Sequence, residues 1–216
     1  MRKVQMGIAA LTGAALLYVV GAQAQNGDLG SPGKADASVV TAGTYAADPG
    51  HTLVGWKVNH FGFSDYFGLF GDVKGTLKLD PANIAASSVE VTIPVGKVTT
   101  ANAGLTAHLL AAGKDGKAPD FFGASPADAT FKSTSVKSSG GNKATITGDL
   151  TLNGVTKPVT INAEFVGAGA NPYSKKETVG FKGTARIKRS EFGINFAAPA
   201  VTDTVDLDIA AAFEKQ

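Results

Sequence analysis

From residue 45 onward, apolar and polar side chains alternate with a period of two, and clusters of Gly, Asn, Asp, Ser and Pro separate the runs. The clearest run is 88–95, with Val89, Val91, Ile93 and Val95 on one face. Residues 51–60 place Val54, Trp56 and Val58 together, with His60 in phase, its ring expected to face the interior. Residues 67–79 read as one strand grouping Phe67, Leu69, Val73, Leu77 and Leu79. Further strands are expected over 130–136, 143–152, 158–166, 177–189 and 204–213, which makes eight. In "GDLTLNGVTKPVTINAEF" (148–165) the alternation enters through Leu150 and Leu152 and leaves through Val159, Ile161 and Phe165. Between them Asn153-Gly154 tolerates positive φ at both positions, the requirement of a type I′ hairpin turn. One segment departs from this period: 102–113 has Leu105 and Leu109 at i,i+4, strong helix formers and Gly113 as a stop, so a short helix followed by a long loop is expected.

Strands with one polar face and mostly short connections predict an antiparallel all-β domain over 44–216. Closing such a sheet into an eight-stranded barrel removes its edges, with the helix and loop as an insertion; a β-sandwich is the alternative. Eight strands is the size at which side chains either fill the interior or leave room for one small ligand, and periodicity does not choose between these.

The amino-terminal part is different. Arg2 and Lys3 precede an apolar run from Met6 to Val20, and Ala22-Gln23-Ala24 has the small-x-small form of a cleavage site. Residues 1–24 therefore read as a signal peptide and the protein as exported to the periplasm. An uncleaved anchor is the weaker reading, because the run falls short of the roughly 20 residues that span a bilayer. Residues 25–43, rich in Gly, Ser, Ala and Asp, read as a flexible linker. The leader changes the charge balance: of 20 basic residues it holds Arg2 and Lys3 and none of the 18 acidic ones, so the remainder carries 18 of each. A neutral chain with no basic run offers no footprint for nucleic acid. There is no cysteine, hence no disulfide and no lipidation site.

Candidate chemistry is sparse. Three histidines at 51, 60 and 108 have no ligand spacing, so no metal is expected. "GAGANP" (167–172) fails the dinucleotide fingerprint at its last glycine, and no nucleophile elbow or phosphate loop occurs, so no cofactor and no catalytic residues are expected. Ser64 and Asp65 near His60 supply the residue types of a hydrolytic triad, but sequence neighbours rarely form one. Arg189 ends a strand in phase with Phe181 and Ile187, and Glu191 is the carboxylate expected to pair with it. It is also the best candidate to meet an anionic head group. "HFGFSDYFGLF" (60–70) reads either as a packed strand corner or as an aromatic mouth.

The stretches "ITGDLTLNGVTKPVTI", "DPGHTLVGWKVNHFGFS", "FGLFGDVKGTLKLD", "ATFKSTSVK" and "RSEFGI" resemble those of the YceI family, and the likeness runs from Tyr45 to Phe213. That family's Arg-Asp pair before its His-Leu motif is absent here, and Asp120-Phe121-Phe122 is set back by "AAGKDGKAP". The resemblance implies a lipocalin-like barrel holding an isoprenoid lipid, such as a quinone tail or a polyprenyl phosphate, in its interior. On spacing alone the apolar faces read as ordinary core; the resemblance makes them a ligand lining. The candidate lining is Val54, Trp56, Val58, Phe67, Leu77, Val91, Ile93, Phe131, Leu150, Ile161, Phe165 and Phe181. Phe61, Phe63 and Phe70 are candidates for the mouth, Leu105, Leu109, Phe121 and Phe122 for a plug or lid, and His60, Arg189 and Phe192 for further ligand contacts. Burying an apolar chain yields about 0.8 kcal/mol per CH₂, so binding needs no polar chemistry. A transient membrane contact and a homodimer are further expectations. Two alternatives stand beside the carrier: an enzyme acting on the lipid head group, and a filled barrel that serves a protein partner.

Overall fold

A computed structural model describes residues 30–216; the leader, 1–24, and residues 25–29 lie outside the described residues. Among the described residues the chain forms eleven strands and one α-helix: β1 (Gly43–Ala47), β2 (Leu53–His60), β3 (Ser64–Phe70), β4 (Lys74–Leu79), β5 (Ser88–Ile93), β6 (Thr99–Thr100), α1 (Ala103–Leu109), β7 (Ala129–Gly140), β8 (Lys143–Leu152), β9 (Val155–Ala170), β10 (Glu177–Lys188) and β11 (Thr204–Lys215). All pairings between named strands are antiparallel. Eight of the strands close into a ring, β1-β4-β5-β7-β8-β9-β10-β11 and back to β1. The expected eight-stranded barrel is present, but its membership differs from the eight runs read in the sequence.

Closure depends on β11, whose far edge is shared. Its carboxy-terminal half pairs with β1, Tyr45 opposite Lys215, while its amino-terminal half pairs with β2, Trp56 opposite Leu207. The buried Thr52 bridges the step between them: its Oγ1 donates to the Ala212 carbonyl at 3.0 Å and accepts from the Ala212 amide at 3.2 Å. Strands β2, β3 and β6 therefore leave the ring as a three-stranded wing.

The run expected as one strand over 67–79 is two. Asp72 takes a left-handed conformation (φ 54°) between β3 and β4, which breaks the strand and resets its parity. Register with β2 then puts Tyr66, Gly68 and Phe70 on the inner face, and Phe67 and Leu69 on the outer one at 62% and 45% exposure. The turn at Asn153 (φ 50°) and Gly154 (φ 77°) is the expected hairpin, with Leu152 opposite Val155. α1 is shorter than the pattern suggests; Asn102 caps it by accepting from the Leu105 amide at 3.0 Å. Residues expected as a flexible linker are attached to the barrel from Ser31 on: Lys34 exchanges two backbone hydrogen bonds with Ala168 in β9.

Candidate functional site

Inside the ring lies a cavity of about 380 Å³. Its walls are the inward residues of every ring strand except β1, among them Leu77, Val91, Phe131, Ile146, Val159, Phe181 and Ile209, together with Val54 of the wing. A bulge at Gly180/Phe181 sets Phe181 opposite Phe165, with ring centroids 5.9 Å apart. Phe165 and Phe181 meet at the height of Ala211, where a small side chain leaves the space open.

Two packed clusters bound this space. At one end Phe192, 1% exposed, comes from a 3-10 turn over Arg189–Phe192 and packs against Phe131, Leu150, Val159 and Ala185, all four of which line the cavity. Asn153 of the hairpin turn holds this floor, donating through Nδ2 to the Phe192 carbonyl at 3.0 Å. Around the other end lie Tyr45, Ala47, Leu77, Ala168, Val179 and Phe213. Loop residues rim the cavity there: Ala37, Val40, Pro81, Ile84, Gly141 and Asn142. Tyr45 donates to the Thr41 carbonyl at 2.5 Å and to Glu177 at 2.7 Å. Burial, then the Glu177 bond, pushes its phenol up to about 12. Burial raises the Glu177 carboxyl too, but hydrogen bonds from Thr41 and Tyr45 and the charge of Lys215 outweigh it and leave the group below its ordinary value.

Of the residues expected to meet a ligand, Val54, Leu77, Val91, Ile93, Phe131, Leu150, Ile161, Phe165 and Phe181 line the cavity. Trp56, Val58 and Phe70 share the inner side of the wing instead. There Trp56 covers Gly68, where a Cβ would lie 2.1 Å from the indole, and Phe70 meets Phe122 edge-on at 5.9 Å. The indole Nε1 of Trp56 is buried without a hydrogen-bond partner among the described residues. Leu105, Leu109, Phe121 and Phe122, expected as a plug or lid, do not line the cavity, and Phe122 joins the wing. Phe122 donates its amide to the Leu109 carbonyl at 3.0 Å, and His108 Nε2 lies 2.8 Å from Asp120 Oδ2, so the segment set back in sequence still returns to the helix. Phe121, His108 and Phe196 stack edge to face with centroids about 5.2 to 5.3 Å apart.

The aromatic hairpin is not a mouth of this cavity. His60 ends β2 on the surface with its ring edge-on to Phe61, because β2 runs beyond the barrel wall, so the expected inward orientation is corrected. Phe61 (51% exposed) and Phe63 (89%) sit at the hairpin tip, and Phe67 lies on the outer face. Asp65 accepts from Asn59 and pairs with Lys57, which separates it from any triad with His60. Arg189 does not pair with Glu191, and its guanidinium is committed to main-chain carbonyls rather than offered to a head group. Its guanidinium is buried and donates to the carbonyls of Thr202, Ile194, Phe196 and Val201 at 2.7 to 3.1 Å, fixing the floor loop 189–203. Burial lowers its pKa, and the charge of Asp203 opposes this. Asp203 in turn accepts from the Ser190 amide and hydroxyl at 2.8 and 2.7 Å; burial raises its carboxyl, but these bonds together with the charges of Arg189 and Lys188 outweigh it and keep the group low.

Lining residues that the sequence reading passed over fall into two kinds. Val89, Leu207, Ile209 and Phe213 were in phase with chosen neighbours, and their alternation was the available signal. Ala37, Val40, Pro81 and Ile84 come from segments without periodicity, and no local pattern marks them.

A YceI-like domain model matches residues 45–213. A UPF0312 protein of Ectopseudomonas mendocina is 42% identical over 169 residues, covering 77% of this chain and 84% of that protein. Among solved structures, BcnA of Burkholderia cenocepacia superposes with a TM-score of 0.64 at 26% identity, over 77% of this chain and 98% of that one. A polyisoprenoid binding domain from Saccharophagus degradans, implicated in plant cell wall breakdown, shares the fold at a TM-score of 0.55 and 12% identity, over 80% of this chain and 98% of that one.

Proposed function

The chain belongs to the YceI-like family, and from that premise we propose that its barrel binds a single acyclic lipid chain of the polyisoprenoid class and carries it without chemical change. The observation that carries this is the apolar cavity inside the ring, about 380 Å³, closed at one end by Phe131, Leu150, Val159 and Ala185, with Phe192 packed behind them rather than lining it as expected. Its volume lies within the roughly 300 to 1,000 Å³ usual for small-molecule sites, and its walls are almost wholly hydrocarbon. Water in such a space has few partners, whereas an isoprenoid gains about 0.8 kcal/mol for each CH₂ it withdraws from solvent. The binding domain of Saccharophagus degradans is described as polyisoprenoid-binding and has the same fold, which supports the choice of ligand class. A quinone tail and a polyprenyl phosphate are the two forms we favour. The basic and apolar leader adds export to the periplasm to this reading.

Native mass spectrometry of the protein purified without detergent, followed by organic extraction, tests the proposal. The expected result is a stoichiometric extra mass that extracts as a prenyl lipid. Ala211→Phe, which fills the space beside Phe165 and Phe181, should lose that mass while its circular dichroism stays native. A bare polypeptide that takes up no added farnesol would overturn it.

A further inference from the structure

The sequence "GAGANP" fits no nucleotide site, yet two of its glycines have a specific neighbour. A Cβ on Gly169 would lie 2.1 Å from the Pro32 carbonyl oxygen and 2.8 Å from the Pro32 carbonyl carbon. A Cβ on Gly167 would lie 3.1 to 3.3 Å from backbone atoms of Lys34. Within 4 Å nothing but residues 32–34 is among the three nearest atoms at either glycine. Neither glycine has positive φ, so its backbone accepts an alanine. What the missing side chains permit is the close approach of another piece of backbone. Between them Ala168 donates to the Lys34 carbonyl at 2.9 Å and accepts from the Lys34 amide at 3.0 Å.

Residues 31–42 thus form a strap seated on the end of β9. Its second attachment is polar as well: Thr41 donates its amide to Glu177 Oε1 at 2.9 Å and its hydroxyl to Oε2 at 2.6 Å. Along the strap every residue is exposed except the half-buried Val40. Apart from the bond that the buried Tyr45 donates to the Thr41 carbonyl, it is held by a handful of water-accessible hydrogen bonds and almost no apolar burial, the profile of a segment that opens below the global unfolding energy. Two strap residues, Ala37 and Val40, nevertheless line the cavity. Lifting the strap from its glycines removes part of the cavity wall and leaves the ring intact.

We propose that residues 31–42 are the gate of the cavity, released and reseated on Gly167 and Gly169, and that Ala37 and Val40 touch the bound chain. This rests on the ligand-binding reading above and adds the route of entry. A ligand enters at the end rimmed by Pro81, Ile84, Gly141 and Asn142, opposite the floor made by Phe192.

Stopped-flow fluorescence with dansylated farnesol on the full chain is the test. The expectation for Gly169→Ala, whose Cβ collides with the Pro32 carbonyl, is at least tenfold faster dissociation and clearly faster association, with native circular dichroism. Gly167→Ala, with its contacts near 3.1 Å, should give a smaller acceleration of both rates. An association rate equal to that of the wild type in Gly169→Ala would overturn the gate and leave ligand binding standing. If Gly169→Ala does not fold, the same criterion applies to Gly167→Ala. If the wild-type protein takes up no probe at all, ligand binding fails and the gate falls with it.

Discussion

Strand β11 gives one of its edges to two partners, and the two regions built on them reach opposite ends from the same kind of pattern. On the β1 side the strands close into a ring and their inner side chains surround an apolar cavity. On the β2 side the wing has an equally alternating inner face, but there Trp56 covers Gly68 and Phe70 meets Phe122 from the segment after α1. Alternation specifies which face is dry. Whether that face is filled depends on what the chain places against it, which is a long-range matter.

The sharpest way to break this contrast is to compare truncations on either side of the cavity boundary. Phe192→Ala removes a ring from a packed floor and should cost about 3 to 5 kcal/mol in chemical denaturation. Ile161→Ala removes a side chain that already borders open space and should cost nearer 2 kcal/mol, at the low end for such substitutions. Equal costs would mean that the floor is no better packed than the cavity wall.

Acid should weaken both ends of the ring. Glu177 anchors the strap and Asp203 the floor loop, and both carboxyls are held below their ordinary values by the bonds they accept. A group whose native pKa lies below its unfolded one stabilises fully above the unfolded value and loses that contribution as pH falls through the native value. Denaturation midpoints should therefore be level from pH 7 to about 5 and fall below about pH 4, with a shallower fall in Asp203→Asn. A midpoint that rises in acid would contradict the assignment of these two groups.

The smallest effect belongs to the wing. His108 and Asp120 are 2.8 Å apart but both substantially exposed, and Asp120→Asn should change stability by less than about 1 kcal/mol. A loss as large as that of Phe192→Ala would show that the helix depends on this pair rather than on Leu109 and Phe122.

Much of the ring was legible because its strands are long and locally consistent. The run through Val89, Val91 and Ile93, the hairpin at Asn153-Gly154 and the faces of β10 and β11 follow from alternation and turn chemistry alone. The failures have particular causes. Phe67 was assigned inward because alternation was carried across Asp72, where a left-handed residue resets the parity. His60 is in phase with Val54 and Trp56, but β2 outruns the barrel, so phase no longer means burial. Arg189 looked available because its acceptors are main-chain carbonyls of a loop without periodicity. The strap left no trace in hydrophobicity, and its only local sign was a pair of glycines whose partner lies more than 130 residues away.

The bridge at Thr52 also bears on the order in which the chain can assemble. Residues 204–215 supply the surface on which β10, β1 and β2 all register. A chain emerging amino end first carries three unmatched strand borders, with no shorter piece able to satisfy them. Each must wait through the synthesis of everything in between, and closure joins Tyr45 to Lys215 in one late, distant step. The same strand that closes the ring is thus, among the described strands, the latest to arrive.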